Sequence, residues 1–127
     1  MWYRKRKQIP RDSSDPDEVV FEVFDATDGL GFNLAVADIR RSEKHFHRRM
    51  TETYTLVSGV LRVHLDDKVE VLSSPGQSVV IPPNTHHWAE SADGSHARIS
   101  VFCSPAWTAE DHILSASGKS VAELSAS

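Results

Sequence analysis

Short β-rich runs, separated by turn-forming residues, recur along most of this chain, and that punctuation constrains its fold more than any other feature. Residues 19–24 form a β-rich run after the breaker segment 12–16. Residues 28–31 read as a turn, and residues 32–39 then alternate larger and smaller side chains. Residues 52–57 are rich in Thr, Tyr and Val, which suits a pleated surface. Ser58 and Gly59 break that run. In residues 60–65, Leu61, Val63 and Leu65 fall on one face and Arg62 and His64 on the other. Residues 66–68 suit a hairpin turn before a run at 69–72, and residues 73–76 suit another turn. Residues 77–81 form an apolar run ended by Pro82, Pro83 and Asn84. Residues 88–91 and 97–103 flank a turn at 93–95. Seven or eight short strands in this rhythm predict an all-β sandwich or barrel.

Two stretches read differently. Residues 40–50 are charged and irregular. Thr108 to Asp111 has the pattern of a capping box, with Ile113 and Leu114 following, which predicts a short C-terminal helix. The small polar residues 116–127 are expected to fray. The resulting division is an N-terminal arm at 1–18, one barrel at 19–115 and a tail at 116–127.

A chain of 127 residues suits one domain and can bury a core without staples. The net charge of −4 argues against a general nucleic-acid partner. The local basic run Arg4, Lys5, Arg6 and Lys7 reads as a solvated arm. Cys103 is the single cysteine, so no internal disulfide forms, which fits a reducing compartment. No secretory leader and no bilayer-spanning run is visible, so the expectation is a cytoplasmic protein without a membrane partner. Cys103 ends an apolar run and reads as buried and inert.

The chain has seven histidines. His45 and His47 stand two apart, so in an extended segment both imidazoles point the same way. Glu52 opens the next strand, and His87 follows the turn at 82–85. Three imidazoles and one carboxylate suit a divalent transition metal. The alternative is a set of surface histidines in charged loops.

The spacing separates these readings. His45-x-His47, four residues, Glu52, six residues, Gly59 resembles the first cupin motif, G-x5-H-x-H-x(3,4)-E-x6-G. Gly76, five residues, Pro82, four residues, His87 resembles the second, G-x5-P-x-G-x2-H-x3-N. The chain departs from the motifs at Ile39, Asn84 and Ser91, none of which is a ligand position. Asn84 replaces a glycine, and Asn tolerates the left-handed backbone that glycine supplies.

The resemblance implies a double-stranded β-helix, or jelly-roll, barrel with a short C-terminal helix. It implies one metal, with Fe, Mn, Ni or Zn as candidates, held inside by His45, His47, Glu52 and His87. Homodimerisation is common in the family and is expected here. Neighbours on a strand face opposite ways, so the register selects His87 over His86. His64, His96 and His112 read as structural.

Tyr54 lies two residues after Glu52 and should point into the same cavity. It is either a packed core aromatic or a group that orients substrate and moves a proton, a role Glu52 could share. Arg40, Arg41, Lys44, Arg48 and Arg49 surround the first two ligands in sequence, which suggests a small anionic substrate. Arg62 and Arg98 could also face the cavity. Two function classes result. One is a metal-dependent enzyme, either a dioxygenase or a non-redox lyase, isomerase or cyclase. The other is a non-catalytic module that binds a small sugar or acid. Fold and motif do not choose between them.

Overall fold

The computed structural model describes residues 10–12 and 15–126. The basic run at residues 4–7 lies outside the described residues. One sheet contains β1 (Pro10–Asp12), β2 (Glu18–Phe24), β3 (Asn33–Ile39), β5 (Thr51–Ser58), β8 (Ser78–Ile81) and β10 (Ala97–Ser104). Their order is β1-β2-β3-β10-β5-β8. The other contains β4 (His45–Phe46), β6 (Leu61–Leu65), β7 (Lys68–Leu72), β9 (His87–Ser91) and β11 (Ile113–Leu114). Their order is β11-β4-β9-β6-β7. The paired strands are antiparallel. This is the all-β jelly-roll barrel that the resemblance implies.

Period-2 alternation builds the interior. β3 turns Asn33, Ala35, Ala37 and Ile39 inward, and β10 turns in Ala97, Ile99, Val101 and Cys103. The register sets Ile99 beside Ala37 and Val101 beside Ala35, so the inward rows line up. From the facing sheet, Leu61, Val63 and Ala89 complete a core in which each is 0% exposed. Burying one such aliphatic side chain stabilises the fold by about 1.5–3 kcal/mol. Toward the other end the inward residues become small or polar, with Ala35, Asn33 and Glu52. Space remains there, and it becomes the site.

Two turn positions explain motif residues. Gly59 has φ +85°, and a Cβ on it would sit 3.0 Å from the Ala97 Cα. Asn84 adopts φ 65°, the left-handed backbone expected of it, and its N–H donates to the His47 carbonyl at 2.6 Å. Ile39, in place of the first motif's glycine, is a core residue of β3 at 2% exposure. Ser91, in place of the second motif's asparagine, donates its hydroxyl to Asp93.

The C-terminal part differs from expectation. Ala109–Asp111 forms only a 3-10 turn without a side-chain cap from Thr108. Asp111 is drawn into other hydrogen bonds, and Ile113 and Leu114 pair with β4. The helix, α1, is Val121–Ala126. Ser120 caps it by accepting the Glu123 N–H at 3.0 Å, an S-x-x-E pattern that lies beyond the expected Thr108–Asp111 box. Residues 116–126, expected to fray, are tied down by buried Ser120 and by the Val121 N–H donating to the His112 carbonyl. No helix among the described residues is long and apolar enough to cross a membrane.

Candidate metal centre

Three elements deliver the predicted ligands. β4 carries His45, with His47 just beyond it, β5 carries Glu52, and β9 carries His87. His45 and His87 are direct cross-strand partners, which sets their rings 4.2 Å apart. All four residues are buried, and one ligand atom from each lies within 4.8 Å of the others. The stretch 40–44 that leads into β4 is held by Ser42, whose hydroxyl accepts the Ala89 N–H at 2.8 Å.

Backbone carbonyls fix the imidazole tautomers. His45 Nδ1 donates to the Glu43 carbonyl at 2.7 Å and His87 Nδ1 to the Thr85 carbonyl at 2.9 Å. His47 Nδ1 donates to the Asp111 carbonyl at 2.9 Å. A carbonyl can only accept, so each Nδ1 carries the hydrogen and each Nε2 faces the cluster. His47 Nε2 is buried and has no hydrogen-bond partner among the described residues, and lies 3.7 Å from Glu52 Oε1. A buried polar atom without a partner is costly unless something completes it. Together with a donor set of three imidazoles and one carboxylate, this atom fits a metal ligand.

The electrostatics agree with that role. Burial, reinforced by the neighbouring imidazoles, pushes His45 well below the ordinary histidine pKa. Burial also lowers His47, against the pull of Glu52. Both imidazoles are therefore neutral at pH 7, the form that can coordinate a metal. Burial opposes charge on His87, but its hydrogen bond to Glu52 at 3.0 Å raises its pKa overall. Burial likewise opposes charge on Glu52, yet the His87 hydrogen bond and the surrounding imidazoles hold it well below the usual carboxylate range. Tyr54 points into the same cavity, and burial and then Glu52 push its phenol well above 10.

The inner cavity, about 30 Å³, opens beside Ala35, Ala37, Tyr54, His45, His47 and Glu52. A larger outer chamber of about 520 Å³ shares Glu18, Val20, His45, Trp107 and His112 as walls. Glu43, Leu114, Val121 and Leu124 line its far side. That size suits a small molecule.

Among the described residues, no arginine lines either chamber. Arg40 pairs with Asp17, Arg62 with Glu90 and Arg98 with Asp38. Arg41 stacks on Trp88 and Arg48 on Phe46. The acidic side chains Asp15, Glu18 and Glu43 line the outer chamber instead. Proximity to the ligands in sequence therefore does not carry these cations to the mouth, and the expectation of an anion-selecting arginine cluster loses its basis.

The remaining histidines divide. His86 faces away, bonding Ser115 at 2.7 Å and packing on Phe46. His64 stacks on Trp88 and pairs with Glu90, and His96 bonds the Pro16 carbonyl. His112, structural by its sequence context, instead lies on His45 and lines both chambers. Nothing in the sequence marks it for that place. Cys103 is buried as expected, but it is part of the site wall, its thiol donating to Glu52 Oε2 at 3.6 Å. The inward alternation of Ala97, Ile99, Val101 and Cys103 is a signal for that placement.

Known structures show the same fold. A KdgF from Halomonas sp. superposes with a TM-score of 0.66 at 20% identity, covering 78% of this chain and 89% of its own. An ectoine synthase from P. lautus gives 0.65 at 16% identity, covering 76% and 70%. An oxalate oxidase gives 0.62 at 22% identity, covering 74% of this chain, which spans only 54% of that enzyme. No curated protein matches the chain. The family model for the cupin domain matches residues 36–103, more than half of the sequence and all four clustered residues. The chain belongs to the cupin family.

Proposed function

We propose that this chain is a metal-dependent enzyme acting on a small substrate through a carboxylate, carbonyl or enol oxygen, as a dioxygenase or as a non-redox lyase, isomerase or cyclase. One observation carries the reading. Three imidazoles with their Nδ1 hydrogens committed to carbonyls, and one ionised carboxylate, converge within 4.8 Å beside a chamber of small-molecule size. His45, His47, Glu52 and His87 would hold the metal, with Fe, Mn, Ni and Zn as candidates. When bound, the metal supplies Lewis-acid polarisation of a substrate oxygen and, if it is iron, redox chemistry.

The chain's own groups have defined tasks. Tyr54 keeps its proton at working pH; its phenol hydrogen-bonds Glu52 and, when a substrate enters, would turn that donor to a substrate oxygen. Glu52 stays ionised and serves as ligand and acceptor. Ala35 and Ala37 leave room at the inner cavity, and the small inner volume limits water. A dication with one carboxylate leaves a net charge of about +1, which favours an anionic oxygen at the metal. The acidic outer chamber favours a neutral or cationic group at the other end of the substrate.

The test is to strip the purified protein with a chelator, reload it with each metal and measure metal per chain. One ion per chain is expected. Oxygen uptake with diketones, catechols and thiols, and product analysis under anaerobic conditions, then separate the reaction classes. A folded chain that takes up no metal overturns the proposal. Metal uptake with small-acid binding but no turnover favours the non-catalytic binding module.

A further inference from the structure

The three ligand histidines are not oriented by the same part of the chain. His45 and His87 each use the carbonyl two residues earlier, which arrives with their own loop. His47 uses the Asp111 carbonyl, 64 residues away in sequence.

Asp111 does more at the same place. Its carboxylate accepts the N–H groups of Arg48 at 2.9 Å, Arg49 at 3.1 Å and Met50 at 3.1 Å. Those peptides form the turn that connects His47 to Glu52. One buried residue therefore sets the tautomer of one ligand and the shape of the turn to the next. The segment around it is docked by further contacts. Ile113 and Leu114 pair with Phe46 and His45, and His112 packs on the His45 ring.

We infer that Asp111 is a positioning residue of the metal centre, and that docking of segment 108–114 and metal binding are coupled. The metal binds tightly only when the segment is docked, and bound metal holds the segment in place. Reciprocity follows from linkage, since two equilibria that share a state must bias each other equally. The inference rests on the metal-centre reading above.

The experiment uses the full chain and zinc alone, with affinity read by chelator competition. Asp111→Ala keeps the carbonyl that His47 uses but removes the carboxylate that fixes amides 48–50 and holds that carbonyl in place. It should weaken zinc binding by about 10–100-fold, the usual cost of losing a group that orients a ligand. Asp111→Asn keeps one side-chain acceptor and should fall between Asp111→Ala and the unaltered chain. Gly59→Ala, which perturbs a turn away from the site, should leave zinc affinity unchanged. In the unaltered chain, hydrogen exchange of amides 48–50 and 108–114 should slow when zinc is added.

Zinc affinity of Asp111→Ala within about twofold of an unaltered chain that does bind zinc, well short of the usual loss, would overturn the inference and leave the metal centre standing. An equal loss in Gly59→Ala would overturn it too, by reducing the effect to general stability. If Asp111→Ala does not fold, the exchange measurement decides alone, and zinc-independent exchange at 108–114 rejects the coupling. An unaltered chain that binds no zinc defeats the metal-centre reading itself and the coupling with it.

Discussion

His112 lies flat on His45, with ring centroids 4.1 Å apart and planes 14° from parallel. The indole N–H of Trp107 donates to His112 Nδ1 at 3.0 Å and fixes the ring in that place. An imidazole of the candidate metal centre is thus braced on one face by a residue outside both motifs. His112→Ala should lower zinc affinity by roughly 10-fold, as expected when a group supporting a ligand is removed. His112→Phe keeps a flat ring against His45 and should restore most of the loss. Chelator competition on the three proteins checks the order.

His47→Ala removes one of the clustered imidazoles, just beyond β4, and leaves the hydrogen bond from the Asn84 N–H to the residue 47 carbonyl in place. The barrel should stay folded by circular dichroism. Metal affinity should fall by more than the roughly 10–100-fold typical of an outer hydrogen-bond partner. Unchanged metal content on elemental analysis would remove His47 from the ligand set.

Gly59→Ala combines a positive φ with a close approach to the Ala97 backbone. Strain of that kind costs about 1–3 kcal/mol. Urea unfolding should show a lower midpoint with an unchanged slope, because the surface exposed on unfolding is the same.

Asp38 pairs with Arg98 through two hydrogen bonds, of 2.7 and 2.9 Å, on the outer face of the six-stranded sheet. The hydrogen bond from Arg98 lowers the Asp38 pKa below its ordinary 3.8, against a small effect of burial. A carboxylate lowered in the folded state adds stability that is full above the unfolded value and is lost as pH falls through the folded value. Arg98 is exposed and Asp38 partly so, so solvent screening keeps the effect under about 1 kcal/mol. Asp38→Asn should therefore destabilise slightly at pH 7 and not at all in strong acid, where the unaltered chain has lost the same interaction. Unfolding curves at the two pH values check the sign.

The longer strands are legible in the sequence because each runs far enough for alternation to show, as in Leu61, Val63 and the outward Arg62 and His64. The four clustered residues are legible from spacing alone. β4 and β11 are not, since two residues carry no period. They exist because the chain around them is held, with His45 opposite His87 and Ile113 opposite Phe46. Asp111 and His112 escape a sequence reading because their roles depend on a contact across the whole chain. The arginines show the converse. They neighbour the ligands in sequence, but Arg40 finds a carboxylate and Arg41 and Arg48 find aromatic faces outside the cavity. The helix forms at a different cap from the expected one: Asp111 is consumed by residues 48–50, and Ser120 with Glu123 makes the working cap.

The outer chamber is walled by Asp15 and Glu18 on one side and by Leu114, Val121 and Leu124 on another, while the ligands sit on central parts of the chain. The walls at Asp15, Glu18, Val121 and Leu124 are therefore separable from the clustered residues, whereas His45 and the segment carrying His112 and Leu114 belong to both. Mutations at those separable positions reshape the chamber without touching the four clustered residues or the segment that braces them. Exchange of the short stretches around residues 15–18 and 121–124 is then a shorter route to a reshaped chamber than redesign of the strands.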